Sequence, residues 1–344
     1  MSPGFAARHW YRLSTVSLLL FPASVIFSLL VRLRRLLYRL RVFSSVRLPV
    51  PVIVVGNLTV GGTGKTPLVL WICEELLRQR YHPAVLCRGY GGTDAGPHEV
   101  AHDDDPTRVG DEPLLLARRS ACPVWVGRDR AAAGASLLGS HPDCDVIICD
   151  DGLQHYRLQR DLEIAVEDER GHGNGLLLPA GPLREPATRP VDALVINAGP
   201  GSGGKRARLG DAPRGRAGVQ AQFTMHLQPR CMYFVHDPSR TVIAAELSGR
   251  RLHAVAGTGN PGRFFASLKE LGLDPVCHPY PDHHAFSRTD LEFSDCDIVL
   301  MTEKDAVKCV HFGRSDMVAL RIDATLDSSF RHFLMQRLHG RAPA

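Results

Sequence analysis

At 344 residues with 44% hydrophobic content, the chain is too long for one small domain and apolar enough for a sizeable core, so two lobes are expected. The net charge of +5 is too modest to demand a nucleic-acid partner. The arginines cluster after the first apolar segment and again near residues 205–216, which favours anionic partners such as lipid headgroups or phosphates. Nine cysteines, an odd number with no C-x-x-C spacing, read as free thiols in a reducing compartment rather than a metal cage.

Residues 13–31, "LSTVSLLLFPASVIFSLLV", carry no charge and are just long enough for a helix to cross a hydrocarbon core of about 30 Å. Arg32, Arg34, Arg35, Arg39 and Arg41 follow at once, and the positive-inside rule would leave the remainder in the cytoplasm. Pro22 and five Ser/Thr residues weaken a spanning assignment. The alternative is a helix lying in the interface with its arginines on anionic headgroups. No A-x-A cleavage site marks the segment as a removable signal.

The short β-branched run "PVPVIVVGN" at 49–57 reads as a buried parallel strand, followed by a helix in "PLVLWICEELLRQR". Strands in "AVLCRGYGG", "CPVWVGR", "CDVIICDDG", "DLEIAVED" and "ALVIN" come next, with helices in "DEPLLLARRS" and "DRAAAGASLLGS" between the earlier ones. This alternation predicts an α/β, P-loop-like parallel sheet with helices on both faces. Residues 198–218, rich in Gly, Pro and Arg, are the best boundary. Short strands in "AQFTMHL" and "CMYFVHD" and two strand-to-helix units then predict a smaller C-terminal α/β lobe. The expected division is 1–45 for the apolar and basic helix, 46–200 for the P-loop core, 201–238 for linker and hinge strands, and 239–344 for the second lobe.

Between the first strand and its helix stands Gly61-Gly62-Thr63-Gly64-Lys65-Thr66. A phosphate cradle needs inward N–H groups, little side-chain bulk and a helix N-terminus behind it. Lys65 would reach the β- and γ-phosphates and the Thr66 hydroxyl would ligate Mg2+. Thr59 stands where G-x-x-x-x-G-K-[ST] has its first glycine. Pro67 is tolerated, because an N–H in the first helical turn has no intrahelical partner. Asp150 and Asp151 end the strand of "DVIICDDGLQH", where a Walker-B carboxylate holds Mg2+, and either acid can fill that role. Gln154 and His155 on the same turn are candidates for touching phosphate or substrate.

Asp111 and Glu112 open the helix of "VGDEPLLL". Asp111 is either a routine N-cap or the carboxylate that a kinase acting on a hydroxyl needs near its acceptor. In "YPDHHAF", His283 and His284 follow Asp282, and a histidine on the far lobe could complete a site when the lobes close. The sequence from Gly257 to Gly262 fits G-x-G-x-x-G but reads as a structural strand-to-helix turn. "TEKD" at 302–305 has its lysine one place too late for a guanine motif, which leaves ATP as the nucleotide.

"VGNLTVGGTGKTP", "CRGYGG", "VGDEP", "DDGLQH", "GNGLLLPAGPLREP", "AGTGNPGRFF", "DHHAF" and "TEKDAVKC" occur in this order, and together they resemble the tetraacyldisaccharide 4′-kinase family. The resemblance covers about residues 50–310 and includes the threonine at 59. It implies ATP- and Mg2+-dependent phosphorylation of the 4′-hydroxyl of an acylated glucosamine disaccharide 1-phosphate, giving lipid IVA. It also implies the cytoplasmic face of the inner membrane and no obligate protein partner. Residue by residue, nucleotide contacts fall on Thr59, Val60, Gly61, Gly62, Thr63, Gly64, Lys65 and Thr66. Mg2+ contacts fall on Thr66, Asp150 and Asp151. The catalytic aspartate falls on Asp111 and its partner on His283, with His284 the neighbouring alternative. Arg88, Glu112, Gln154, His155 and Glu185 are the remaining candidates. A reading from another class is a membrane-tethered P-loop switch that hydrolyses nucleotide to drive a partner; turnover that requires added acylated disaccharide separates the two.

Overall fold

The computed structural model describes residues 9–94, 96–199 and 218–339. Strand β1 (Val52–Gly56) is buried at all five positions and lies parallel between β5 (Val146–Asp150) and β6 (Leu162–Asp168). Its apolar run serves both faces, as a central strand must. Ile53 and Val55 pack under helices α2 (Lys65–Arg78) and α4 (Asp111–Arg119), while Val52 and Val54 pack with α5 (Arg130–Ser140) on the other side. Beyond β5 the sheet continues through β2 (Pro83–Cys87) and β4 (Val124–Val126) to the short edge strand β3 (His98–Glu99), which a small helix α3 (Pro106–Val109) follows.

On the other side of β1 the sheet runs through β6, β7 (Val191–Ala198) and β8 (Val219–Phe234) into β13 (Met317–Leu326), β12 (Ile298–Thr302), β10 (Leu252–Ala256) and β11 (Val276–Pro279). β9 (Asp237–Val242) pairs with β8 off this path, making thirteen strands in one mostly parallel α/β sheet. Helices α6 (Pro261–Glu270) and α7 (Glu303–Cys309) cover the second half, which has its own apolar clusters. The last helix, α8 (Ser328–His339), belongs by sequence to the second half but returns to the first, where Phe330 is fully buried and meets Trp71 at 5.4 Å.

The two short strands expected at 221–227 and 231–237 are one strand, β8, parallel to β7 along its first half and antiparallel to β13 along its second. Between the two runs lies Pro229, which cannot donate to a ladder. The structure accommodates it at a bulge: Ile322 pairs with Pro229 and Arg321 with Cys231, so Arg230 is the extra residue. Most of the Gly-, Pro- and Arg-rich boundary segment at 198–218 lies outside the described residues.

Helix α1 (Thr15–Arg39) does not project from the body. Ser17 and Ser24, its two buried residues, face the core; the Ser24 hydroxyl donates to the Leu177 carbonyl at 2.8 Å, and Tyr38 meets Tyr156 at 5.7 Å. Its polar small residues therefore form the docking stripe, while Leu18, Leu19, Phe21, Ile26, Leu29 and Leu30 are left exposed.

Candidate functional site

The glycine loop sits at the carboxyl end of β1, with α2 starting at Lys65 behind it. Gly61 and Gly64 have positive φ, +110° and +92°, and a Cβ on Gly64 would lie 2.5 Å from the Asn197 amide nitrogen. Thr59 has no positive φ and pairs with Leu183 in an isolated bridge, which explains why this loop dispenses with a first glycine. Val60 donates to the Pro182 carbonyl at 2.8 Å. Three polar side chains brace the loop. Asn57 donates to the Gly61 carbonyl, Asn197 to the Thr63 carbonyl and Arg170 to the Gly62 carbonyl, at 2.9, 2.9 and 2.8 Å. With those carbonyls held, the loop is set to turn its N–H groups toward an anion.

The Lys65 ammonium donates to Asn57 at 3.4 Å and lies 3.6 Å from Asp151. Asp151, at φ +49°, is also gripped by Arg184 at 3.0 Å. Burial would raise its carboxyl, but Lys65 and Arg184 outweigh that and hold it at about 2. Asp150 is buried, and its Oδ1 has no hydrogen-bond partner. Burial and then the negative Glu112 push its carboxyl up to about 7. The orphaned carboxylate oxygen, the second acid and the Thr66 hydroxyl on the loop are all oxygen donors, the chemistry that Mg2+ takes alongside water and phosphate.

Asp111 and His283 come from opposite halves of the sheet and meet: the imidazole Nδ1 is 3.0 Å from both carboxylate oxygens. Asp111 is the first residue of α4 rather than its cap, because Gly110 takes the N-cap position. Burial raises the Asp111 carboxyl, yet the hydrogen bond from His283 and the charge of Lys304 hold it below its usual range. Burial lowers the His283 imidazole, yet Asp111 outweighs that against Lys304 and raises it. His283 adopts φ +60°, a strained choice for a residue with a side chain. His284, by contrast, bonds Asp290 at 3.2 Å and stacks on Tyr280, away from Asp111. Lys304 at the start of α7 reaches Glu112 at 2.9 Å and Asp282 at 3.1 Å. Glu112 and Lys304 line the same cavity of about 210 Å3 as Gly62, Lys65 and Thr66.

The other sequence candidates spread around this cleft. Arg88 is exposed just past β2. Gln154 donates to the Asn57 carbonyl at 3.3 Å, under the loop. His155 has a buried, unpartnered Nε2, and burial with Arg130 presses its pKa down to about 4, so the ring is neutral at pH 7. Glu185 is turned into the interior, 3.0 Å from Arg189; its neighbour Arg184 is the one that reaches the acidic pair. The G-x-G-x-x-G turn packs on the phosphate loop: a Cβ on Gly259 would lie 2.3 Å from the Gly62 nitrogen. Lys304, Arg184 and Asn197 were not picked out by sequence reasoning. Lys304 stood inside "TEKD" and Arg184 inside "PLREP", but no spacing rule links either to an acid from another segment.

Beneath α1 lies a second cavity of about 770 Å3, lined by Arg32, Arg35, Arg39, Arg160, Tyr38 and Tyr156 among others. Arg32, Arg35 and Arg39 fall on one helical face at this cavity, where the half-exposed Leu36 also lies.

Residues 16–339 match the model of the tetraacyldisaccharide-1-P 4'-kinase family. A tetraacyldisaccharide 4'-kinase of Methylobacillus flagellatus is 47% identical over 334 residues, 96% of this chain and 95% of the relative. The Azoarcus sp. (strain BH72) protein of that name is 50% identical over 98% of this chain and 97% of its own. Among solved structures, LpxK from Aquifex aeolicus, crystallised as an "apo" form in complex with ATP, matches with TM-score 0.76 and 29% identity, over 94% of this chain and 100% of that one. With the glycine loop, the acidic pair and the Asp111–His283 contact in place, a match of this length and identity makes the chain a member of the tetraacyldisaccharide-1-P 4'-kinase family.

Proposed function

We propose that the chain transfers the γ-phosphate of ATP to the 4′-hydroxyl of a tetraacyldisaccharide 1-phosphate, with Asp111 as the base. The observation that carries this is the Asp111–His283 contact, formed across the two halves, with the adjacent Glu112 and Lys304 lining the cavity at the phosphate loop. The loop N–H groups and Lys65 hold the β- and γ-phosphates and balance the charge that gathers on them in transfer. The acceptor O–H bond breaks as the new O–P bond forms. The proton goes to Asp111, and the bond from the γ-phosphorus to the bridging oxygen breaks, its electron pair leaving with ADP. A carboxylate held low is ionised and ready to accept at neutral pH, and His283 fixes which way it points. Thr66, Asp150 and Asp151 fit Mg2+, which when bound would neutralise phosphate charge.

Residues 219–234 form the strand that joins the halves, and closure of the halves over both substrates would bend there. Arg88, Glu112, Gln154 and His155 would approach the sugar and phosphates, and Glu185 would act through the buried pair behind Arg184.

The acceptor carries four acyl chains and stays in the bilayer. We read α1 as lying in the cytoplasmic face of the inner membrane, not spanning it, because its docking contacts run from Ser17 to Tyr38. Its exposed leucines would enter the acyl boundary and its arginines would meet anionic headgroups or the 1-phosphate. No obligate protein partner is needed for this chemistry, and family membership leaves the nucleotide-switch alternative without support. Incubation with labelled ATP and the disaccharide 1-phosphate in mixed micelles tests the reading. A product heavier by one phosphate, dependent on the lipid, is expected; ATP turnover indifferent to the lipid would overturn it.

A further inference from the structure

Lys304 is the side chain on which both halves of the candidate site converge. Its ammonium reaches Glu112 from α4 at 2.9 Å, Asp282 from the loop after β11 at 3.1 Å, Asp111 at 3.9 Å and the Nε2 of His283 at 3.4 Å. It is largely buried, and its pKa is pushed up: burial opposes the charge, but Glu112, Asp111 and Asp282 outweigh it. It therefore stays an ammonium and can only donate.

That fixes a proton position. A donor facing Nε2 requires a bare Nε2, so the neutral ring must carry its hydrogen on Nδ1, which faces both oxygens of Asp111. The chain of groups runs from Lys304 through His283 to Asp111. In a Ser-His-Asp arrangement the Nε2 faces the nucleophile and takes its proton. Here Nε2 faces a cation, and Asp111 is the group left to face the acceptor.

We infer that Lys304 is a positioning residue: it holds His283 in its Nδ1–H tautomer, so that Asp111 is the proton acceptor, and it ties the two halves together through Glu112 and Asp282. This rests on Asp111 being the base. The groups around His283 are Asp111 from α4, Asp282 on its own loop, Lys304 from α7 and the Tyr90 ring at 5.1 Å, with Glu112 beside Lys304 and Lys308 acting on Asp111. Removing Lys304 deletes the nearest cation from that set, so both the imidazole and the Asp111 carboxyl hold protons to higher pH.

The test combines rates with nitrogen NMR on the full chain in micelles. Histidine-labelled protein, with His283 assigned through His283→Gln, should show a bare Nε2 and a protonated Nδ1 above the pH at which its own imidazole gives up a proton. A protonated Nε2 there overturns the proposal, and this readout needs no folded Lys304 variant. Lys304→Met should lower kcat and move the acid limb of the kcat profile up by about one pH unit or more, the scale for an ion at this range. Lys304→Arg, which keeps the charge, should restore the limb. A rate that falls with the limb unmoved would show a merely structural lysine and also overturn the proposal. Asp111→Asn in the same assay separates the two failures. If it is inactive while the Lys304→Met limb stays put, only the role of Lys304 falls. If it turns over normally, the base assignment itself falls.

Discussion

Removing Asp111 and His283 singly and together tests whether they act as one unit. The imidazole sits 3.0 Å from each carboxylate oxygen, the geometry of a charge-assisted hydrogen bond. Such a bond contributes about 1.5–3 kcal/mol, which in a rate is roughly 10- to 150-fold. His283→Ala should therefore lower kcat by about 100-fold, at the upper part of that range because the pair is largely buried. Asp111→Ala removes the proton acceptor and should cost about 100-fold or more. If His283 works through Asp111, the double variant has nothing further to lose and should match the worse single variant. Independent action would instead multiply the losses to about 10⁴-fold or more. His283→Ala also strips the carboxyl of the hydrogen bond that lowers its pKa, so the acid limb of kcat should move to higher pH. The assay is kcat at saturating ATP with the disaccharide 1-phosphate in mixed micelles, read as phosphorylated lipid by mass. Losses that multiply would refute the coupled pair. Normal kcat in His283→Ala with loss in His284→Ala would move the role one residue along, against the 3.2 Å bond that holds His284 on Asp290.

Lys65→Ala and Thr66→Ala should each nearly abolish transfer, one by losing phosphate charge stabilisation and the other a hydroxyl that fits Mg2+; near-normal turnover in both would remove the phosphate-loop assignment. Gly64→Ala should weaken ATP binding and lower Tm, since its Cβ would meet Asn197 at 2.5 Å and φ is +92°; a strained φ costs about 1–3 kcal/mol, and an unchanged melting curve would contradict the geometry. Deleting residues 1–31 should leave only salt-sensitive membrane binding through the arginines from Arg32 onward, each worth roughly 1 kcal/mol near an anionic surface. Equal pelleting of the truncated protein with vesicles at high salt would show that the apolar helix is not the anchor.

Local chemistry made several features legible in the sequence. The run from Val52 to Gly56 can only be a core strand, because its branched apolar residues leave no polar face. Gly61, Gly62 and Gly64 ahead of Lys65 mark a phosphate loop, because backbone approach forbids side-chain bulk there. The paired acids at 150 and 151 follow from a strand that must end at the same edge of the sheet. The ordered motifs that resemble a kinase family carried the rest of the functional reading. Tertiary structure decided what depends on segments distant in the chain. It made 219–234 one strand through a bulge at Pro229, which a rule about proline alone would break. It turned Ser17 and Ser24 of the apolar helix inward, so that the helix lies along the body, an outcome hydropathy cannot separate from spanning. It brought His283 rather than His284 to Asp111 across 172 positions, and set Lys304 beside both. A proton's place on an imidazole depends on what stands at each nitrogen, and those neighbours come from two halves of a sheet that meet only once the chain has folded.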